Sequence, residues 1–130
     1  MKKSASAEDY MKSILILHRR NGSVRSSEVA EEMGVSRPSV CNAMKKLRKQ
    51  EMIYFGENDC ICFTETGKIF AEKVYSKHSL IAKFLRRIGV SKKTADEEAC
   101  ELEHAISDET YECLNRYYEK KMLPGEKSGA

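Results

Sequence analysis

Two short helical stretches meet at a glycine and run straight into a pair of β-prone runs. No other feature restricts the fold of this chain as strongly. Residues 26–33 offer Ser26 as a cap, Glu28 in the first turn and an apolar face of Val29, Ala30 and Met33, and Gly34 stops them. Val35-Ser36 leads into a second helix over residues 37–50. Ser36 is its expected cap, and Pro38 falls in the first turn, where a missing N–H costs nothing. Val40, Ala43, Met44 and Leu47 then repeat at i, i+3, i+4 and i+7, which predicts a core-facing stripe. The runs at 52–55 and 61–64 flank the turn cluster Gly56-Glu57-Asn58-Asp59 and predict a hairpin. A helix-turn-helix followed at once by a hairpin is a winged helix.

The second helix of such a pair places its first residues against base edges in the major groove. Those residues here are Ser36, Arg37, Pro38, Ser39 and Asn42. Arginine pairs with guanine, asparagine with adenine, and small apolar surface meets a thymine methyl. Lys45, Lys46, Arg48 and Lys49 can neutralise phosphates. With Ser26 and Ser27 from the preceding helix, they make up the expected face for double-stranded DNA. The competing reading is a helical hairpin with a solvated lysine face, and the wing argues against it. The wing tip is acidic, which argues against a grip on phosphate. Cys60 and Cys62 share one strand face but lack further ligands nearby, so plain thiols are expected.

The other segments read as helices. Residues 7–20 have Ser6 as a cap, Glu8 and Asp9 in the first turn, and a wide stripe of Tyr10, Met11, Ile14, Leu15 and Leu17. Asp9 there complements the helix dipole. A long helix from Thr64 to about Ile88 can leave the winged domain and enter a second unit, with His78 midway. On position alone His78 reads as an ordinary surface or core histidine. Residues 91–94 read as a link, an acidic helix follows to about Ile106, and Ser107-Asp108 opens a last helix over 109–121. The fold expected is mainly α with one small hairpin. A winged helix-turn-helix DNA-binding domain spans 1–72, an all-helical domain 73–122, and a flexible tail 123–130.

Charge is divided along the same line. Residues 1–50 carry eleven Lys/Arg against five Asp/Glu, and residues 94–115 carry eight Asp/Glu and no Lys/Arg. That division predicts an anionic partner for the front and a cation for the back. At 41% hydrophobic and 33% charged, the chain is globular. It has no membrane-spanning run and no signal-type apolar segment, and its five cysteines are an odd number without framework spacing. A cytoplasmic protein with no membrane partner is expected.

Within the acidic segment, Cys100, Glu103 and His104 fall at i, i+3 and i+4, which places a thiol, a carboxylate and an imidazole on one helical face. All three types bind metals. The alternative is an acidic solvated helix holding one cysteine, and spacing alone leaves both open.

Glu98-Ala99-Cys100-x-x-Glu103-His104-x-x-Ser107-Asp108 resembles the diphtheria toxin repressor and manganese transport regulator family of metal-dependent transcriptional repressors. The same holds for Glu8-Asp9-Tyr10, Ser36-x-Pro38-Ser39-Val40, the wing ending in Thr64-x-x-Gly67, and His78. The resemblance runs from about residue 5 to 120. It implies a homodimeric repressor, not an enzyme, whose winged helix binds an operator half-site. Its helical dimerisation domain holds a divalent metal that acts as co-repressor for metal-homeostasis genes. Carried over by position, the metal ligands are Asp9, His78, Cys100, Glu103 and His104.

The chain is a mosaic of the family's two branches, in a two-domain form without the SH3-like domain. The iron branch has the cysteine seen at Cys100 but methionine where Asp9 stands. The manganese branch has the aspartate but glutamate in place of the cysteine, and a second acid where this chain has Lys12. The iron branch also has a glutamate at the position of Ala82 and a histidine at that of Asp96. Carboxylates suit Mn(2+) and Fe(2+), while a thiolate shifts preference toward iron, cobalt, nickel or zinc. Fe(2+) is therefore favoured, Mn(2+) next, with Zn(2+), Co(2+) and Ni(2+) as surrogates. No small organic substrate is expected. The rival functions are a metal-independent winged-helix dimer and, more remotely, a metalloenzyme.

Overall fold

Ser6 fixes where the chain first turns helical. Its hydroxyl accepts the Asp9 N–H at 3.1 Å, and the Asp9 carboxylate accepts the Ser6 N–H at 3.1 Å. This reciprocal capping box starts α1, Ala7–Asn21. The computed structural model describes residues 6–122; the tail expected over 123–130 lies outside the described residues. α1 closes on Gly22, whose φ of 85° suits glycine and whose N–H donates to the His18 carbonyl.

α2 spans Ser26–Met33 and starts differently from the sequence expectation. Arg25 is the cap residue, its N–H donating to Glu28 Oε1 at 2.8 Å, so Ser26 is the first helical residue. The glutamate side chain thus does the capping work expected of a serine. α3 spans Arg37–Lys49, and Ser36 caps it as expected, its Oγ accepting the Ser39 N–H at 3.2 Å. Val40, Met44 and Leu47 are buried and Ala43 is half-buried, so the helical stripe faces the core.

The wing is an antiparallel pair, β1 Ile53–Phe55 and β2 Ile61–Phe63, with Ile53 opposite Phe63 and Phe55 opposite Ile61. Ile53 and Ile61 both point into the core. A short 3₁₀ turn, Glu57–Asp59, joins the strands, and Cys60 precedes β2. The Ile61 backbone ties the wing back toward the first helix. Its N–H donates to the Val24 carbonyl at 2.7 Å, and its carbonyl accepts from His18 Nε2 at 2.8 Å.

The Thr64-x-x-Gly67 pattern has a steric cause. Thr64 Oγ1 donates to the Glu51 carbonyl at 2.7 Å and accepts the Gly67 N–H at 3.0 Å. A Cβ at Gly67 would stand 1.8 Å from the Met52 carbonyl oxygen, so only glycine fits there. From this junction α4 runs over Glu65–Arg87. The chain divides into two compact units, with the boundary between Tyr75 and Ser76, inside this helix.

The C-terminal unit contains the end of α4 together with α5, Lys92–Leu102, and α6, Asp108–Tyr117. A π-helical turn, Tyr118–Met122, follows. Ser91 Oγ accepts the Thr94 N–H at 3.3 Å, so residues 92–94 are helical and not a link. Ser107 caps α6 by accepting the Thr110 N–H at 3.1 Å. That cap has an extended backbone, with φ −80° and ψ 168°, and α5 ends at Leu102, short of the expected Ile106. Ile81, Ala82 and Ala99 form a small core, flanked by Leu85 and Ile106. Among the described residues, no helix is long and apolar enough to cross a membrane.

Candidate metal centre and nucleic-acid interface

Four of the five expected metal ligands converge inside the C-terminal unit. Glu103 is their hub, and its side chain is 0% exposed. One carboxylate oxygen, Oε1, lies 2.9 Å from His78 Nδ1, and the other, Oε2, lies 3.3 Å from His104 Nε2. Cys100 Sγ stands 3.8 Å from the same His78 nitrogen. Buried carboxylates need such partners.

Of the three donors in the acidic stretch, Cys100 alone lies within a helix. Cys100 sits on α5 and is exposed. Glu103 and His104 lie beyond the helix end, in a turn tightened by the Ala105 N–H donating to the Leu102 carbonyl at 2.9 Å. Glu103 keeps a right-handed helical backbone, φ −60° and ψ −27°, and this carries its side chain back to within reach of His78. The set brings nitrogen, oxygen and sulphur donors within 2.9–3.8 Å of their neighbours. Such a set fits a divalent transition ion and is too soft for a preferred magnesium or calcium site.

Asp9 lies in the first turn of α1 in the N-terminal unit, where its carboxylate serves the capping box. Burial, and then the Asp9 charge, push the neighbouring Tyr10 hydroxyl above its ordinary pKa, so Tyr10 stays neutral. Lys12, one turn on, is buried. In the C-terminal unit, Ala82 belongs to the apolar core, and Asp96 pairs with Lys92 at 3.0 Å on the surface of α5. All five cysteines are unbridged.

The residues expected to meet DNA lie in the N-terminal unit, mostly on its surface. Ser27, Ser36, Arg37, Pro38, Ser39, Asn42, Lys45 and Lys46 are exposed and Ser26 is half-buried. They ride on α2 and α3, opposite the buried Val40, Met44 and Leu47. Sequence reasoning passed over Arg25, because Ser26 looked like the cap. Arg25 and Arg48 line a shallow groove with Ser26, Phe55, Asn58 and Asp59. The Arg48 guanidinium lies 5.7 Å from the centroid of the Phe55 ring, a cation–π contact that holds it against the wing.

Comparison with known proteins gives the family. Residues 2–56 match the model for "Iron dependent repressor, N-terminal DNA binding domain", and residues 64–121 match "Iron dependent repressor, metal binding and dimerisation domain". An uncharacterized HTH-type transcriptional regulator of Methanocaldococcus jannaschii is 38% identical over 119 residues, covering 90% of this chain and 95% of that protein. The HTH-type transcriptional regulator MntR of Geobacillus thermodenitrificans is 32% identical over 102 residues, covering 78% of this chain and 72% of that protein. The solved structure of the manganese regulator SloR superposes with a TM-score of 0.79 at 32% identity. The match covers 90% of this chain but 55% of SloR, so this chain spans little more than half its length. The chain belongs to the iron-dependent repressor family, the group of metal-dependent DNA-binding transcriptional regulators that includes the diphtheria toxin repressor and manganese transport regulators.

Proposed function

We propose that this chain is a homodimeric, cytoplasmic repressor that reads a double-stranded DNA operator with α3 and takes a divalent metal as co-repressor. The carrying observation is the cluster in which His78 and His104 contact the buried Glu103 carboxylate and Cys100 lies beside His78. These four residues would hold the ion, and Asp9 would join them from the DNA-reading unit. A bound divalent ion supplies the positive charge that lets carboxylates and a thiolate face one centre. With Asp9 as a further ligand, the start of α1 would belong to that centre, and filling it would bias the placement of α3. In a dimer, two copies of α3 must match half-sites about one helical turn, or a multiple, apart. A coupling of about 1–3 kcal/mol between the two sites changes operator affinity roughly 5–150-fold.

Cys100 favours Fe(2+) over Mn(2+), since a thiolate suits the softer ion, while Asp9 and Glu103 keep Mn(2+) close behind. SloR is described as a manganese regulator, and the cysteine is the reason to rank iron first here. Zn(2+), Co(2+) and Ni(2+) serve as surrogates, and no small organic substrate takes part. Anaerobic calorimetry with Fe(2+), Mn(2+) and Zn(2+) tests the reading. Saturable heat with Fe(2+) and Mn(2+), sharply weakened in Glu103→Gln, supports it. The absence of heat with every ion overturns it. Tighter Mn(2+) than Fe(2+) binding overturns the ranking alone.

A further inference from the structure

Lys77 precedes His78 on α4 and reaches a different part of the same unit. Its ammonium donates to the Ile106 carbonyl at 3.1 Å and pairs with Asp108 Oδ1 at 3.3 Å. The lysine side chain is only 14% exposed, against 58% for Asp108. Lysine is seldom this covered unless its charge is paired and its N–H groups are bonded, and here both conditions hold.

We infer that Lys77 is a positioning residue for the metal centre, pinning the turn that carries Glu103 and His104 to the helix that carries His78. The inference rests on the metal centre proposed above.

The ligands differ in how firmly their backbone is held. Cys100 rides on regular helix, whereas Glu103 and His104 sit in a closing turn with local bonds. The contact from His78 Nδ1 to Glu103 Oε1 links that turn to α4, but both residues belong to the proposed ligand set, so an ion would compete with it for them. The tie from Lys77 to Ile106 and Asp108 uses no residue of that set. Ile106 also packs against the apolar cluster of the unit, which limits where the turn sits but does not orient its backbone. A hydrogen bond to the Ile106 carbonyl does orient it. The Asp108 carboxylate offsets the lysine charge, so the tether adds little repulsion toward a cation.

Outer partners that orient metal ligands typically contribute 10–100-fold in affinity. The full chain, titrated anaerobically with Co(2+) alone and followed by visible absorption, tests the assignment. K77M keeps the aliphatic stem and removes the donor; it is expected to weaken Co(2+) binding about 10–100-fold. Its ligand-field spectrum at saturation should also shift, a change that lowered fold stability alone does not produce. K77R restores a donor for Ile106 and a charge for Asp108 and should return both readouts toward wild type. If K77M matches wild type in affinity and spectrum, the inference is overturned. It is equally overturned if K77R loses as much as K77M, whether or not K77M lowers the melting temperature. A wild-type chain that binds no Co(2+) sinks the metal centre itself and takes this inference with it, an outcome distinct from the other two.

Discussion

The two units of this chain carry function in opposite ways. The N-terminal unit puts its candidate DNA-reading residues on the exposed side of a regular helix whose other side is core. Apart from Ser36, which also caps the helix, each such residue can be exchanged with little effect on its neighbours. The C-terminal unit draws its candidate metal ligands from α4, α5 and a closing turn, and links them in series from Cys100 through His78 and the buried Glu103 to His104. There each side chain is a partner of the next. Changes on the DNA face should therefore be local and additive, and changes in the ligand cluster should be coupled.

The largest expected effect tests that coupling. Glu103→Ala removes the hub and leaves His78 and His104 without its carboxylate. Metal affinity should fall by more than the roughly 10–100-fold typical of an outer partner, as calorimetry would show. Adding His104→Ala to it should cost far less than His104→Ala alone. Full additivity of the two would mean that the cluster does not act as one site. Next comes Gly67→Ala in the N-terminal unit, which forces a Cβ into the Met52 carbonyl. Overpacking of this kind destabilises by roughly 1–3 kcal/mol, measurable by urea unfolding; a wild-type midpoint would remove the steric account of Thr64-x-x-Gly67.

Smaller effects belong to the DNA face. Arg37→Ala should cost about 1–3 kcal/mol at one base pair and relax discrimination there, leaving metal affinity unchanged. Lys45→Ala should weaken all duplexes alike and reduce the salt slope by about 1. If Lys45→Ala changes base preference, the division between reading and phosphate contacts on α3 is wrong. Smallest of all is Lys92→Ala, which breaks an exposed pair with Asp96 and should move stability by less than about 0.5 kcal/mol.

Legibility followed the same contrast. The DNA-reading unit was readable because period, cap and turn signals agreed: Val40, Met44 and Leu47 declared the buried side of α3, and Ser36 its start. The one local error, Ser26 for Arg25 as the cap of α2, arose because Glu28 reaches back to the Arg25 N–H, a job that residue type alone does not reveal. In the C-terminal unit, the spacing of Cys100, Glu103 and His104 named the donors but suggested a continuous helix. Helix α5 instead ends at Leu102, and a turn carries Glu103 and His104. His78 came from resemblance and not from pattern, since a lone histidine on a 23-residue helix carries no local signal of what it faces. Lys77 was invisible for the same reason: its partners, Ile106 and Asp108, are 29 and 31 residues away.

The central claim is that the ligand cluster in one unit governs DNA reading by the other. Its most direct test is operator affinity for the wild-type chain, on a duplex selected from a random library, under anaerobic conditions with Fe(2+) and then with chelator. Binding should be about 5–150-fold tighter with the metal, and Glu103→Gln should lose that gain while keeping its metal-free affinity. Equal affinity with Fe(2+), with Mn(2+) and with chelator would contradict the account.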